Sequence, residues 1–334
     1  MTGYAFAAAG TGGHVYPALA VADALVERGA DPEDVVFFGG DRMEAAAVPE
    51  AGYPFVRLEI HGLRRSASPR NVALPILVRR SAAVVQRELL ARGTMAMAVF
   101  GGYITGPAVL GANRARVPVL IHEQNAVPGL ANRLARRSAR RVMVAFEPAT
   151  SVLRGSSVVG NPLRRQIAAL DTAAVRGEAL LRYEVAGERP VLGVAGGSQG
   201  AGALNNAVAA LLADRSLDID VIHLTGRQHL AAISAAAAGD ERWHPFGFEE
   251  RMDLFYAACD LVLARSGAMT VSELAVTGTP SVLVPLPAGR GYQGRNASDL
   301  ERAGGTVVLP QDRIGDAMAA VIELLGDPPG RERM

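Results

Sequence analysis

A glycine-rich turn runs into a histidine near the start of the chain, in the segment AAAGTGGHVYPALAVADAL at residues 7–25. Backbone N–H groups where a helix begins suit an anion, and a histidine beside them can act as a general base near neutral pH. A dinucleotide loop needs G-x-G-x-x-G, but Val15 stands at the third glycine position. We interpret the segment as an anion-binding loop with His14 as candidate base; a dinucleotide loop and a plain tight turn are the alternatives.

Two further glycine turns follow apolar segments in the second half of the chain, in GVAGGSQGAGALNNA at 193–207 and LARSGAMTVSELAVTGTP at 263–280. Free N–H groups and the helix macrodipole at such turns stabilise a diphosphate. Thr270 falls in the first helical turn of the second segment, with Glu273 on the same face. Because one carboxylate can accept hydrogen bonds from both ribose hydroxyls, these loops predict a nucleotide site.

A run of polar residues, HEQN at 122–125, stands at the end of the apolar segment VPVLI. Glu123 and Asn125 are predicted to point into a ligand site, whereas His122 fits either a structural or a catalytic role. No His, Cys, Asp or Glu residues show metal-ligand spacing, and no D-x-D precedes an apolar strand end. We therefore expect a site that works without a metal ion or another cofactor.

Short apolar runs alternate with helical patterns along the whole chain, which predicts βαβ units and parallel sheets. Residues 4–25 and 191–213 open their halves in the same way, with an apolar strand, a glycine turn and a helix. The fold class expected is α/β, with two doubly wound Rossmann-like domains, 1–158 and 159–334, divided within SSVVGNPLRRQ. Since ligands sit beyond the carboxyl ends of parallel strands, we expect the loops to face a cleft between the domains.

All 34 basic residues of the 334-residue chain are arginines, so a P-loop lysine, a Schiff base and a lysine general base are excluded. No apolar run is long enough to span a membrane, and the N-terminus has the pattern of a strand rather than a secretory signal. The single cysteine, Cys259, lies in an apolar, helix-like run. We expect a cytoplasmic protein with an inert buried thiol.

The net charge of +1 is unevenly distributed: residues 1–160 hold 18 arginines and 12 acidic residues, and the remainder holds 16 and 21. Eight arginines surround the apolar VALPILV between Arg57 and Arg92, against two acids. A second set consists of Arg133, Arg136, Arg137, Arg140 and Arg141. Both sets fit either an anionic membrane surface or solvated helix faces; no aromatic platform supports nucleic-acid binding.

Taken together, these segments resemble the MurG family, in order from about residue 4 to 310. The matching motifs are GTGGHVYPALAVA, DRMEAAAVPEAGY, FGGYITGP, HEQNAVPGLANR, VVGNPLR, GGSQGA followed by ALN, RSGAMTVSELA, and VPLP followed by QGRNA. The resemblance implies a GT-B fold and a metal-independent, inverting transfer of GlcNAc from UDP-GlcNAc to the C4 hydroxyl of MurNAc in lipid I, giving lipid II. It also implies peripheral attachment to the cytoplasmic membrane face and further cell-wall enzymes as partners.

The resemblance also assigns residues. His14 would be the base, and the first domain would bind the polyprenyl-diphosphate acceptor through Thr11, Gly12, Gly13, Tyr103 and Glu123. The donor-binding residues would be Asn125, Arg164, Ser198, Gln199, Phe248, Glu249, Ala268, Met269, Thr270, Glu273 and Gln293. Among these, Glu273 would bind the ribose, Phe248 and the Glu249 backbone would flank the uracil, and Ser198, Gln199 and Thr270 would hold the diphosphate. Gln293 and Asn125 would bind the sugar hydroxyls.

Four features depart from the family pattern: Ala9 replaces a usual glycine, Tyr292 a common glutamine and Glu249 a usually apolar residue, and the chain stops at DPPGRERM, short of the usual C-terminal helices. Two alternatives stay open. One is an antibiotic-pathway paralogue that transfers a UDP-sugar to another phospholipid-like acceptor. The other is a non-catalytic, UDP-binding descendant of the enzyme.

Overall fold

A computed structural model describes residues 3–61, 74–197, 200–287 and 292–334. The chain divides into two compact units, Met1–Arg164 and Arg165–Met334, six residues beyond the boundary expected from sequence. The intervening segment belongs with the first unit because its backbone and side chains bond to it. The Gly160 carbonyl accepts from the His122 ring at 2.9 Å, and the Asn161 amide donates to the Gln124 carbonyl at 3.3 Å.

The first unit is a seven-stranded parallel sheet with helices between its strands. Its strands are β1 (Gly3–Ala7), β2 (Val35–Gly39), β3 (Phe55–Arg57), β4 (Thr94–Val99), β5 (Val119–Glu123), β6 (Arg141–Val144) and β7 (Ser157–Val158). Its helices are α1 (Gly12–Glu27), α2 (Glu44–Glu50), α3 (Leu74–Ala91), α4 (Thr105–Ala115) and α5 (Leu130–Ala135). The strand order is β3-β2-β1-β4-β5-β6-β7.

The second unit repeats the plan with six parallel strands. Its strands are β8 (Val191–Ala195), β9 (Asp220–Leu224), β10 (Trp243–Phe246), β11 (Leu261–Ala264), β12 (Ser281–Leu283) and β13 (Thr306–Val308). Its helices are α6 (Arg165–Ala168), α7 (Thr172–Arg182), α8 (Gly202–Leu212), α9 (Leu230–Ala237), α10 (Met252–Ala258), α11 (Ala268–Thr277), α12 (Tyr292–Arg302), α13 (Ile314–Leu325) and α14 (Pro328–Arg333). The order β10-β9-β8-β11-β12-β13 matches that of the first six strands of the other sheet.

The central strands are apolar on both faces because helices cover both sides of each sheet. Every residue of β2 and of β11 is buried. Two clusters of aliphatic and aromatic side chains form the core of the first unit, and a third cluster lies in the second unit. Cys259 is buried just after α10 ends, rather than within a helix, and burial raises the pKa of its thiol. The burial of this thiol, expected from the sequence, is thus confirmed, and its low reactivity stays a prediction.

Each sheet has one point at which its strand order reverses, between β1 and β4 in the first unit and between β8 and β11 in the second. The loops that leave neighbouring strands there diverge and open a crevice at the carboxyl ends. In the first unit the two loops touch: a Cβ on Gly102 (φ +85°) would overlap the carbonyl oxygen of Ala9. The glycine turn before His14 and the turn before the helix of Glu273 lie at these reversal points, whereas HEQN lies at the end of β5.

Candidate functional site

The candidate base, His14, occupies the third position of α1, at the reversal point of the first sheet. Thr11 precedes the helix without a side-chain cap, and its hydroxyl lies 3.3 Å from His14 Nδ1. Burial lowers the pKa of His14 below its ordinary value, against the raising effect of the negative charges of Glu123 and Glu44. The lowered pKa keeps the ring neutral at neutral pH, which is the form that accepts a proton.

The loop after β4 passes directly against the His14 ring. A Cβ on Gly101 would stand 3.1 Å from His14 Cδ2 and 3.4 Å from the side-chain nitrogen of Asn132, a tight contact that glycine avoids. Its φ of +98° requires glycine as well. Three segments, from the ends of β1 and β4 and from α5, therefore converge on the histidine.

The carboxylate of Glu123 is saturated by hydrogen bonds from its own loop. Oε1 accepts from the backbone N–H and the side-chain amide of Asn125, at 3.0 and 3.2 Å. Oε2 accepts from the Gly129 N–H at 2.9 Å and from the Asn132 amide at 3.0 Å. This arrangement orients Asn125; a direct contact of Glu123 with an acceptor stays a prediction.

His122, next to it, is a structural residue. The ring is buried, its Nε2–H donates to the Gly160 carbonyl, and its Nδ1 accepts from the Gln124 amide at 3.1 Å. Burial lowers the pKa of His122, although the Gly160 bond and Glu123 act in the opposite direction. Of the two roles left open by the sequence, the hydrogen bonds favour the structural one.

Tyr103 and Arg164 complete the polar groups of the first unit. The Tyr103 hydroxyl donates to Glu44 at 3.2 Å, and burial together with Glu44 raises the pKa of Tyr103 to about 12. The guanidinium of Arg164 lies 4.9 Å from the ring centroid of Tyr16, two residues beyond His14. Glu44 had no role assigned from sequence, because its partners are 34 and 59 residues away along the chain.

In the second unit, the turn after β8 depends on glycines. A Cβ on Gly200 (φ +70°) would overlap the Thr225 carbonyl oxygen, and one on Gly196 would stand 2.5 Å from the Ala201 nitrogen. The turn leads into α8, whose capping residue Ala201 offers no side-chain cap. Ser198 and Gln199, predicted to hold the diphosphate, lie outside the described residues.

Glu273 lies on α11, which begins at Ala268 directly after the turn that follows β11. Its side chain is nearly buried, and its Oε2 accepts a hydrogen bond of 2.8 Å from the hydroxyl of Tyr256, itself buried on α10. This bond fixes the carboxylate. Met269 and Thr270 follow Ala268 in the first helical turn and are partly exposed.

The side chain of Glu249 is buried, whereas the uracil contact that the resemblance assigns to this residue involves only its backbone. Both nitrogens of the Arg182 fork donate to it at 2.8 and 3.0 Å, and the Tyr183 hydroxyl donates at 2.9 Å. Burial raises the pKa of Glu249, but these bonds outweigh it and lower the value. An acidic residue is thus accommodated at a usually apolar position. Phe248, beside it, is partly exposed beneath the Arg227 guanidinium, 5.0 Å from the ring centroid.

The loop after β12 is anchored from the end of β11. The buried Arg265 donates to the carbonyls of Val284 and Pro285 at 3.0 and 3.3 Å, and burial lowers the pKa of its guanidinium. The buried Asn296 donates to the Ser266 carbonyl at 3.2 Å. Gln293 Oε1 accepts from the Leu286 N–H at 2.9 Å, so its side chain closes the same loop. Arg265 and Asn296 belong to the family motifs RSGAMTVSELA and QGRNA, but only their hydrogen bonds in the structure identify them as residues that hold this loop.

In the part of the chain that the structure describes, no group of three His, Cys, Asp or Glu side chains is arranged to hold a metal ion. Nor does any helix among the same residues combine the length and the apolar character needed to cross a bilayer.

Comparison with known proteins agrees with this arrangement. Residues 4–144 match the glycosyltransferase family 28 N-terminal domain, and residues 191–333 match its C-terminal domain. A UDP-N-acetylglucosamine--N-acetylmuramyl-(pentapeptide) pyrophosphoryl-undecaprenol N-acetylglucosamine transferase of Clavibacter sepedonicus is 40% identical over 342 residues, covering 100% of this chain and 90% of the relative. The enzyme of the same name from Mycobacterium avium is 41% identical, covering 97% of this chain and 81% of its own length.

The chain belongs to the MurG family. The crystal structure of Acinetobacter baumannii MurG superposes with a TM-score of 0.75 at 30% identity, covering 100% of this chain and 93% of that one. The expected GT-B fold is confirmed, with parallel sheets of seven and six strands. In this MurG-family chain, the usual glycine replaced by Ala9 is a fully buried core position, where the added methyl packs among aliphatic side chains.

Proposed function

We propose that this chain is an inverting, UDP-GlcNAc-dependent glycosyltransferase that moves GlcNAc to the C4 hydroxyl of MurNAc in lipid I and so makes lipid II. The observation that carries the proposal is similarity of about 40% over the whole chain to transferases named for this reaction. The site residues support it, because His14 and Glu273 stand at the reversal points of their sheets on helices that begin there.

The second unit binds the UDP moiety of the donor. Glu273, held by Tyr256, accepts hydrogen bonds from the ribose hydroxyls, while Phe248 and the Glu249 backbone flank the uracil. The N-terminal N–H groups of α11 face the diphosphate, with Thr270 in the first turn. These N–H groups stabilise the charge that develops on UDP as it leaves, a contribution of a few kcal/mol per donor.

The first unit binds the acceptor and supplies the base. An Nδ1–H of His14 facing the Thr11 hydroxyl leaves the Nε2 lone pair to take the proton of the C4 hydroxyl. The C4 oxygen attacks the anomeric carbon from the face opposite UDP, which inverts the centre to a β linkage. Thr11, Gly12 and Gly13, at the start of α1, hold the acceptor diphosphate, with Tyr103 and Glu123 assigned to the acceptor as well.

The donor also has proposed contacts from residues outside the nucleotide loops. Asn125, oriented by Glu123, contacts the donor sugar together with Gln293, and Arg164 contacts the nucleotide.

Catalysis is expected to need no divalent cation. Purified protein given UDP-GlcNAc and a soluble lipid I analogue should release UDP and form the disaccharide product at equal rates with excess EDTA or with Mg²⁺. The rate is measured by transfer of radiolabelled GlcNAc, and omission of the acceptor is the blank. Loss of turnover in EDTA, restored by Mg²⁺, would contradict the metal-independent mechanism.

We propose that the protein meets its lipid acceptor at an anionic membrane surface, on the cytoplasmic face. A pocket of about 300 Å³ on the first unit is lined by Leu130, Leu134, Val152, Arg133, Arg136 and Arg137. Leu130 and Leu134 are 63% and 71% exposed. The apolar side chains can contact lipid acyl chains, while the neighbouring arginines bind the phosphate headgroups above them.

The α3 helix supports the same surface with a second patch. Ile76 is 56% exposed, and Arg79 and Arg80 follow it at the spacing that places them on the same helical face. Three arginines of this set, Arg64, Arg65 and Arg70, lie outside the described residues.

Reversing charge at Arg136 and Arg137 to glutamate should weaken binding to vesicles rich in anionic lipid by roughly 10- to 100-fold, since each arginine near the surface contributes about 1 kcal/mol. Sedimentation with vesicles measures the bound fraction. The matched control reverses Arg302 and Arg313, two exposed arginines of the second unit, for the same change in net charge. Equal weakening by both pairs would assign the effect to net charge and contradict a membrane surface on the first unit.

A further inference from the structure

The side chain of Glu44 is fully buried at the start of α2 and has no part in the reaction described so far. Its Oε2 accepts a hydrogen bond from the Gly10 N–H at 3.1 Å. Its Oε1 accepts from the Gly40 N–H at 3.0 Å and from the Tyr103 hydroxyl at 3.2 Å. All three partners donate, the pattern of an ionised carboxylate. One side chain thus joins the loops after β1, β2 and β4.

Two of the backbone N–H groups that bond the Glu44 carboxylate belong to glycines, each for a different reason. A Cβ on Gly40 would overlap the Tyr103 hydroxyl and would come within 3.1 Å of Glu44 Oε1. Gly10 has a φ of +109°, which presents its N–H to Oε2 and which other residues rarely adopt. These two glycines belong to the loops that leave β1 and β2.

Stability of the fold alone does not account for a charge at this place. A buried carboxylate loses its hydration, and an apolar side chain of similar volume is often as stable or more stable there. Across residues 3–61, 74–197, 200–287 and 292–334, no arginine forms an ion pair with Glu44 to offset this cost. Three hydrogen-bond donors, rather than an arginine among the described residues, therefore hold the carboxylate at this place.

The group on which this charge acts is His14. The charges of Glu123 and Glu44 both raise the pKa of His14 against the lowering effect of burial. The other ionisable groups near this cluster are Asp41 and Arg42, which act on Tyr103, and Arg164, which lies over Tyr16. Glu44 differs from these in being fully buried and bonded directly to the loop that carries His14.

We propose that Glu44 is a positioning residue of the transfer reaction: it fixes the His14 loop relative to Tyr103, and its charge stabilises the His14 imidazolium. The imidazolium forms when the C4 hydroxyl gives its proton to His14, as the C4 oxygen bonds to the anomeric carbon and the bond to UDP breaks. The reaction part of this inference rests on the proposed function of His14. The electrostatic part is a property of the free protein.

NMR titration of ring-labelled histidines tests the electrostatic part without any substrate. The signal of His14 is identified by its loss in His14→Gln. In Glu44→Gln, and in Glu44→Met, which fills a similar volume without charge, the pKa of His14 should fall below that of the wild type. Asp23→Asn is the matched control, because it removes another carboxylate that bonds a tyrosine, Tyr53, on the same unit. It should leave the His14 titration unchanged.

Kinetics test the positioning part. Glu44→Gln should lower kcat/KM for the lipid acceptor by roughly 10- to 100-fold, since misplacement of a catalytic group by about 1 Å has effects of this size. The acid limb of its pH profile should move to lower pH. Tyr103→Phe keeps the charge and should lower kcat/KM without moving that limb. UDP affinity should be unchanged in both variants.

A His14 titration identical to the wild type in either folded Glu44 variant would overturn the proposal and make Glu44 a purely structural residue, whatever its effect on thermal stability. The proposed function can fail separately. If His14→Gln retained full activity, His14 would not be the base, yet the titration would still decide whether the charge of Glu44 acts on His14.

Discussion

Replacing His14 with alanine should lower kcat by roughly 10²- to 10⁴-fold, the usual contribution of a general base. His14 stands at the start of α1 with Nδ1 near the Thr11 hydroxyl, and burial keeps its pKa below the ordinary value. His122, which lies near the end of β5 on the same sheet, is bonded at both ring nitrogens and therefore has no free lone pair to accept the proton. Steady-state transfer to a lipid I analogue at saturating substrates measures the effect.

The control for His14 is His244→Ala, which removes another histidine whose pKa burial lowers, on the edge strand β10 of the second sheet. It should retain wild-type turnover, and both variants should bind UDP as the wild type does. In the wild type, activity should fall as the pH drops through the pKa of His14, because protonation removes the base. Unchanged turnover in His14→Ala would remove His14 from the mechanism.

Replacing Glu273 with alanine should weaken UDP binding by about 1–3 kcal/mol, or roughly 5- to 150-fold, because buried ribose hydroxyls would lose their acceptor. The carboxylate is nearly buried and is fixed by the Tyr256 hydroxyl at 2.8 Å, so its geometry does not have to be organised on binding. Isothermal titration with UDP measures the loss. Tyr256→Phe keeps the carboxylate and should weaken UDP binding less than Glu273→Ala does.

A ligand that lacks one ribose hydroxyl separates this role from a general loss of structure. The wild type should bind 2′-deoxy-UDP more weakly than UDP, whereas Glu273→Ala should discriminate less between the two ligands. The matched control is Glu323→Ala, on the partly exposed helix α13. The assignment of Glu273 to the ribose would be abandoned if Glu273→Ala retained wild-type affinity or the full preference for UDP.

The sequence predicts the central strands well because they are covered on both faces and are therefore continuously apolar. The strand β2, for example, is formed by the apolar run VVFFG. The strands β7, β10 and β13 are hard to predict because each lies at a sheet edge, where β7 is exposed and β10 and β13 are only partly buried, so the apolar signal is weak. The units divide six residues after the predicted boundary, because Gly160 and Asn161 bond to residues of the first unit that lie 38 and 37 positions away along the chain.

Part of the candidate site can likewise be predicted from the sequence, and part of it cannot. Glycine turns, His14 and Glu273 are visible in the sequence because local spacing places each at the end of a strand or in the first turns of a helix. The residues that support them are not visible, because their bonds span long stretches of chain. Tyr256 contacts Glu273 across 17 residues, and Tyr103 contacts Glu44 across 59. The acidic Glu249 is explained by Arg182, which bonds to it from 67 residues away along the chain.

A crossed donor-and-acceptor assay tests the central claim most directly. Purified protein is given UDP-GlcNAc or its C4 epimer UDP-GalNAc, each with a lipid I analogue or with a polyprenyl phosphate that carries no MurNAc. The account predicts product only from UDP-GlcNAc with the lipid I analogue, with a β-(1→4) linkage identified by NMR. Product from the other acceptor alone would indicate the antibiotic-pathway paralogue, and UDP binding without any product would indicate a non-catalytic descendant. Either result would contradict the claim.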